Sequence, residues 1–177
     1  GTVLRIPAAM LRRAPAEATL ATVTGVARWR TAGGDWQQAA SGQRLASGSA
    51  LETLDDASVL LRLADGSTLL LSPNSQLVLD SLSVFADGLM VDSRLRLQQG
   101  QTDVSVDSEQ RVDRHLQIRT PSAQAVVRGT RFRVGVGVGV GAEVSREETL
   151  RGRVGVSAAE RSVSVGRGQG TIVRAGE

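Results

Sequence analysis

From Ala21 almost to the C-terminus, apolar residues recur at every second position, and this period of two constrains the fold more than any other feature of the chain. Val59, Leu61 and Leu63 share one parity, followed by Leu69 to Leu71 and Leu77 to Leu79. Leu95 and Leu97 then alternate with Arg94 and Arg96, and Val104 and Val106 with Asp103, Ser105 and Asp107. Successive side chains of an extended strand point to opposite faces, so these segments read as half-buried strands with one wet face. Leu116 and Ile118, Ala123 to Val127, Phe132 to Val140, Val154 and Val156, Val163 and Val165, and Ile172 continue the series. Turn signals punctuate it at Gly33-Gly34-Asp35, Gly48-Ser49, Asp65-Gly66, Asp87-Gly88, Gly100, Gly129, Gly152 and Gly166 to Gly170. The expected class is therefore all-β, with short strands recurring roughly every ten residues, a spacing that suits a sandwich, a barrel or a β-solenoid. Asp65-Gly66 between two apolar runs predicts a hairpin closed by a type I′ turn, because Asp and Gly tolerate positive φ.

Composition narrows the chemistry. A chain of 177 residues buries roughly two thirds of its unfolded surface, but with two Trp, two Phe and no Tyr its core must be built from Val, Leu and Ala. Cys and Lys are absent and there is one His, which removes disulfides, thiol nucleophiles, Ser-Lys dyads, Schiff bases and zinc sites needing two histidines. The pI near 11.0 follows from having only Arg as a base, because the formal net charge is just +3. The arginines are dispersed, with no basic run beyond Arg12-Arg13, so no nucleic-acid patch is expected. No apolar stretch approaches the ~18 residues of a membrane span, and the N-terminus lacks the basic-then-apolar order of a signal peptide, so the chain reads as a trimmed soluble fragment. Absence of cysteine suits cytosol and periplasm alike.

Residues 1–20 differ from the rest. Pro7 and Pro15 flank the stretch Ala8 to Ala14, which reads as a joining segment, either two helical turns or a linker, ahead of one β domain over 21–177. Val134 to Gly141 is a strict Val-Gly alternation that puts every Val on one face and leaves the other bare. That face lies against backbone or solvent, or receives a closely approaching partner strand.

Candidate site residues are few. Arg128-Gly129-Thr130 places a guanidinium beside a glycine bend, where it can hold a carboxylate or a peptide carbonyl, or serve structurally by bonding neighbouring turns. Trp29 and Trp36 flank Gly33-Gly34-Asp35 and either pack across a hairpin or offer platforms to a sugar. His115 opens a strand and reads as an exposed strand-end residue without metal partners. A Ser-His-Asp triad could run only through His115, and no nucleophile elbow accompanies it. Glu147 and Glu148, like Asp55 and Asp56, are adjacent and point to opposite faces of an extended chain, which does not make a hydrolase's carboxylate pair. Gly166 to Gly170 lacks dinucleotide spacing and is a turn. No catalytic, metal or cofactor site is expected.

Read end to end, residues 20–176 resemble the FecR domain. Thr120-Pro121-Ser122-Ala123-Gln124-Ala125-Val126-Val127-Arg128-Gly129-Thr130-Arg131-Phe132 is similar to that family's T-P-x-A-x-x-x-V-R-G-T-x-F signature. Asp65-Gly66-Ser67 through Leu71, Pro73 and Ser75 resembles its D-G-S-x-x-x-L-x-P-x-S stretch. Gly25-Val26, Leu97 to Gly100, Arg151 to Val154 and Gly168 to Gly170 fall in the family's order. One departure is Ser49, where the family's G-D-x-L-x-T stretch has Asp. Gly1 to Pro7 resembles the last strand of a LysM module. The resemblance implies a bacterial periplasmic or envelope-associated domain with a curled-sheet or solenoid-like architecture and no catalytic activity. Its implied partners are an envelope protein, or peptidoglycan through an adjacent LysM module. The alternative it carries is a periplasmic relay that passes a ferric-siderophore transporter's signal toward a sigma factor. Neither motif nor composition specifies an oligomeric state.

Overall fold

Rows of leucine at alternate positions become the interior wherever strands stack side by side, and here they do so within one sheet. The computed structural model describes residues 12–85, 88–106, 113–139, 142–158 and 161–174, with side chains at all of these except 127–130, 138–139, 142–143 and 151–153. In chain order the strands are β1 (Arg13–Pro15), β2 (Glu17–Thr24), β3 (Ala27–Arg30), β4 (Gln37–Gln38) and β5 (Arg44–Ala46). There follow β6 (Ala50–Thr53), β7 (Ser58–Arg62), β8 (Thr68–Leu71), β9 (Gln76–Phe85) and β10 (Met90–Ser105). The last five are β11 (Asp113–Arg119), β12 (Gln124–Gly139), β13 (Ala142–Ala158), β14 (Arg161–Gly166) and β15 (Gln169–Arg174). The class is all-β, as the alternation predicts, and these strands form one open sheet whose main path runs β14-β13-β12-β11-β10-β8-β7-β2-β5.

β10 is the hub of the topology. Its first half lies between β9, antiparallel, and β11, parallel, while its second half lies between β8 and β12, both antiparallel. The exchange of partners falls at Gly100, whose φ of +84° belongs to the left-handed region. A Cβ there would sit 2.6 Å from the Cα of Ser75, so the position needs glycine for space as well as for conformation. Ser75 closes the junction by accepting a hydrogen bond from the Gln101 amide at 3.0 Å.

Because β10 belongs to both halves, their inner faces share one core. Leu20, Leu61, Leu69, Leu71, Leu77 and Leu79 from the early strands join Leu95, Leu97, Val104, Leu116, Ile118, Phe132 and Val134 in a single buried cluster. Burying such side chains stabilises by about 1.5–3 kcal/mol each, which is why the parity of the leucines dictates which face turns inward.

Two expectations need correction. β1 and the start of β2 lie inside the stretch read as a joining segment: Arg13 to Pro15 pairs with Ser83 to Phe85, and Ala16, Ala18 and Leu20 are buried on one face. Alanine at period two carries little strand signal, and only burial against the sheet reveals it; residues 1–11 lie outside those described. The hairpin at Asp65-Gly66 joins β7 to β8 as expected, but through a three-residue loop. Gly66 donates to the Leu63 carbonyl at 3.0 Å and Leu63 to that of Ser67 at 2.8 Å, with positive φ at Gly66 and not at Asp65. This is a type I turn followed by a glycine bulge. Asp65 instead turns inward, accepting from the Ser67 amide at 3.0 Å and hydroxyl at 2.7 Å, with Arg114 Nε of β11 3.7 Å away.

Candidate functional site

A crease crosses the C-terminal half of the sheet. β12 pairs with β11 through Gln124 to Val127 and with β10 through Arg131 to Val136, so it changes partner across Arg128-Gly129-Thr130. Opposite, β13 changes partner from β14 to β15 between Arg153 and Thr149. The β12–β13 register shifts there, with Arg128 facing Arg153, Arg131 facing Arg151 and Phe132 facing Thr149. The tripeptide singled out in the sequence thus sits on a paired irregularity that bends both strands; the side chains of Arg128 and Thr130 lie outside those described.

Beyond the crease the Val-Gly strand builds a groove. Val134 is fully buried and Val136 packs against the core, so the alternation turns Gly135 and Gly137 outward. A Cβ on Gly137 would meet nothing within 4 Å. These bare positions line a cavity of about 930 Å³, bounded by Ser72, Pro73 and Gln101 on one side and by Arg146, Glu148, Gly170 and Ile172 on the other. The bare face therefore opens on solvent; Val140 and Gly141 lie outside the described residues.

Arg133 anchors the rim. Its Nε and one Nη donate to the two carboxylate oxygens of Asp103 at 2.5 and 3.1 Å, and Glu148 Oε2 lies 3.8 Å from the other Nη. The hydrogen bond it donates to Asp103, then the charge of Asp103, raises the guanidinium above its ordinary value. The bidentate pairing fixes the plane of Arg133. Arg146 and Gln101 add planar hydrogen-bonding groups around a bare backbone floor. Such a surface can present donors and acceptors to an extended main chain while glycine permits its close approach.

The opposite face of the same strands carries polar residues where a leucine row would be expected. Ser145, Glu147 and Thr149 of β13 are all buried. Ser145 donates to Thr120 Oγ1 at 2.7 Å and lies 2.5 Å from Ser122 Oγ, and Thr120 Oγ1 accepts from the Ala123 amide at 2.9 Å. The Thr120-Pro121-Ser122-Ala123 turn is thus docked on β13 by hydroxyls. Glu147 has no such partner: it is 4% exposed and neither carboxyl oxygen makes a hydrogen bond. Burial pushes this carboxyl up to about 7. Glu148 beside it is exposed, as the opposite-face reading of the pair requires.

The remaining candidates lie elsewhere. Trp29, on β3, packs against the core cluster, whereas Trp36 lies beneath Arg30, whose guanidinium carbon is 4.6 Å from the ring centroid, and 5.7 Å from that of Arg28. Arg28 is held in turn by Glu52 at 2.7 Å. The two indoles thus serve different surroundings, and one face of Trp36 is taken by cation–π contact. His115 is exposed on β11 with Nδ1 2.7 Å from Asp92. Among the described residues no cluster of three His, Asp or Glu comes together to hold a metal.

Reading the sequence missed the groove and the buried Glu147. The Val-Gly run was visible, but its role depends on β10, β13 and β15 arriving at its edges. For Glu147 the adjacent pair signalled opposite faces, and only the register decides which of the two is inside. Compared with known families, residues 49–155 match the model described as FecR protein, a narrower span than the motifs suggested. No curated protein matches the chain.

Proposed function

Because the chain belongs to the FecR protein family, whose domains are regulatory and associated with the cell envelope, we propose that it is a non-catalytic, extracytoplasmic binding or scaffold module of bacteria. It takes an extended segment of an envelope protein partner into the groove floored by Gly135 and Gly137. The observation that carries this reading is the groove itself: bare backbone on its floor, fixed or planar polar groups on its rim, and exposed Ile172 beside it. The opposite charges of Arg146 and Glu148, two residues apart on β13, suit a segment of mixed charge. The resemblance of residues 1–7 to a LysM strand supports attachment to peptidoglycan through an adjacent module, with wall binding outside the β domain. Arg128, Gly129 and Thr130 then act by bending β12 so that the glycine face meets its rim. Membership of the family also supports a second reading, a periplasmic relay in ferric-siderophore signalling, with the transporter's N-terminal domain as the partner.

A photo-crosslinking residue at Gly137 or Arg146 in the envelope of the living cell tests the groove, with Leu70, an exposed apolar position of β8, as the control. The expected result is one protein adduct from the groove positions, absent from Leu70, abolished by Gly135→Trp and reproduced with the purified partner. Sedimentation of the chain alone with peptidoglycan sacculi, unreleased by salt and lost in Trp36→Ala, would overturn the reading. Salt is needed because 21 arginines can adhere to an anionic polymer without specificity.

A further inference from the structure

β15 is an edge strand that forms one wall of the groove and at the same time covers Glu147. It is held along the N-terminal part of β13, from Val144 opposite Arg174 to Thr149 opposite Gln169, and Ser122 adds a hydrogen bond to the Val173 carbonyl at 3.4 Å. Glu147 stands between Val134 of β12 and Thr171 of β15 in the register. Thr102 of β10 follows beyond Val134, and Ser145, Thr149, Gln169 and Val173 share the face. Among the residues whose side chains are described, the charged groups beside it on these elements, Asp103 on β10, Arg131 and Arg133 on β12, Arg146 and Glu148 on β13 and Arg174 on β15, alternate to the other face. Burial is what raises the affinity of Glu147 for its proton.

We propose that β15 is a strap latched by Glu147: with the carboxyl protonated it lies on β13 and completes the groove, and ionisation of the carboxyl releases it and opens the groove wall. An ionised carboxylate without a hydrogen bond or a cation must regain water. β12 cannot yield to provide it, because β10 and β13 hold it on both edges, whereas among the described residues β15 pairs with β13 alone along this stretch. Local opening of such an edge element is the least costly route.

The sign follows from the two proton affinities. Closed, Glu147 titrates at about 7; with the strap open it returns toward 4.5. Between these values the closed state holds a proton that the open state lacks, so opening is favoured as pH rises, and the gain stops above about 7. The difference between about 7 and 4.5 corresponds to an opening constant larger by about 300-fold. The consequence for partner binding rests on the groove reading above, whereas the strap's movement does not.

Amide hydrogen exchange on the whole chain, from pH 5 to pH 8.5, measures the strap directly when protection of β15 is referred to that of β7 and β8. His115→Gln is carried throughout so that the imidazole cannot contribute. The expected result is a relative loss of β15 protection on the order of 100-fold as pH rises, absent in Glu147→Gln and in Glu147→Met, the second variant guarding against a misfolded first. Unchanged protection in the parent chain, or the same loss in both variants, would overturn the strap. Crosslinking from Gly137 at each pH separates the two ideas. An adduct that never forms while β15 still opens sinks the groove reading alone, and an adduct with pH-independent protection sinks the strap alone.

Discussion

β7, β8 and β9 on one side of the molecule, and β12, β13 and β15 on the other, obey the same period of two but fill their inner faces differently. In the first group Leu61, Leu69, Leu71, Leu77 and Leu79 are fully buried, on strands of four to ten residues. In the second, strands of 16 and 17 residues turn Ser145, Glu147 and Thr149 inward and leave Gly135 and Gly137 outward. Leucine rows gain the transfer energy that holds a sheet together, whereas a buried carboxyl without a partner and a bare outer face contribute little or cost stability. The contrast sets the stability of the domain in its early strands, and the proposed groove and strap in its late ones.

The largest effect should come from the leucine side. Leu61→Ala removes a fully buried side chain and is expected to cost about 2–5 kcal/mol in chemical denaturation; a loss below about 1 kcal/mol would remove the distinction between the halves. Next comes the junction between them. Gly100→Ala combines a positive φ with a collision against the Ser75 backbone and should cost about 1–3 kcal/mol, because β10 cannot change partners without that bend. A neutral outcome would mean that β10 bends by another route. Smallest of all is Gly137→Ala, whose new methyl meets nothing within 4 Å. Its stability should stay within about 0.5 kcal/mol of the parent while groove crosslinking falls, and unaltered crosslinking would show that the floor is not in contact with a partner.

Much of this architecture could be read without coordinates. Leu95 and Leu97 against Arg94 and Arg96, and Glu147 against Glu148, sort to opposite faces as a strand demands. The hairpin at Asp65-Gly66 was visible too, although the turn type was not, since Asp65 was free to turn its carboxylate onto Ser67 instead of adopting positive φ itself. The strand character of Ala16 and Ala18 escaped notice because alanine favours helix when nothing packs on it. Trp29 and Trp36 looked like one pair, yet Arg28 and Arg30 gather around Trp36 while Trp29 packs against the core.

Alternation, turn residues and the family's motifs are local properties, and they sufficed to make this chain an all-β member of a regulatory family. Which strands meet is not local. The partner changes of β10 at Gly100 and of β12 at Arg128-Gly129-Thr130 depend on contacts between residues far apart in the chain. So do the groove over Gly135 and Gly137 and the placement of Glu147 inside and Glu148 outside. A shift of one residue in the pairing would exchange those two faces while leaving the pattern of residues along the strand unchanged.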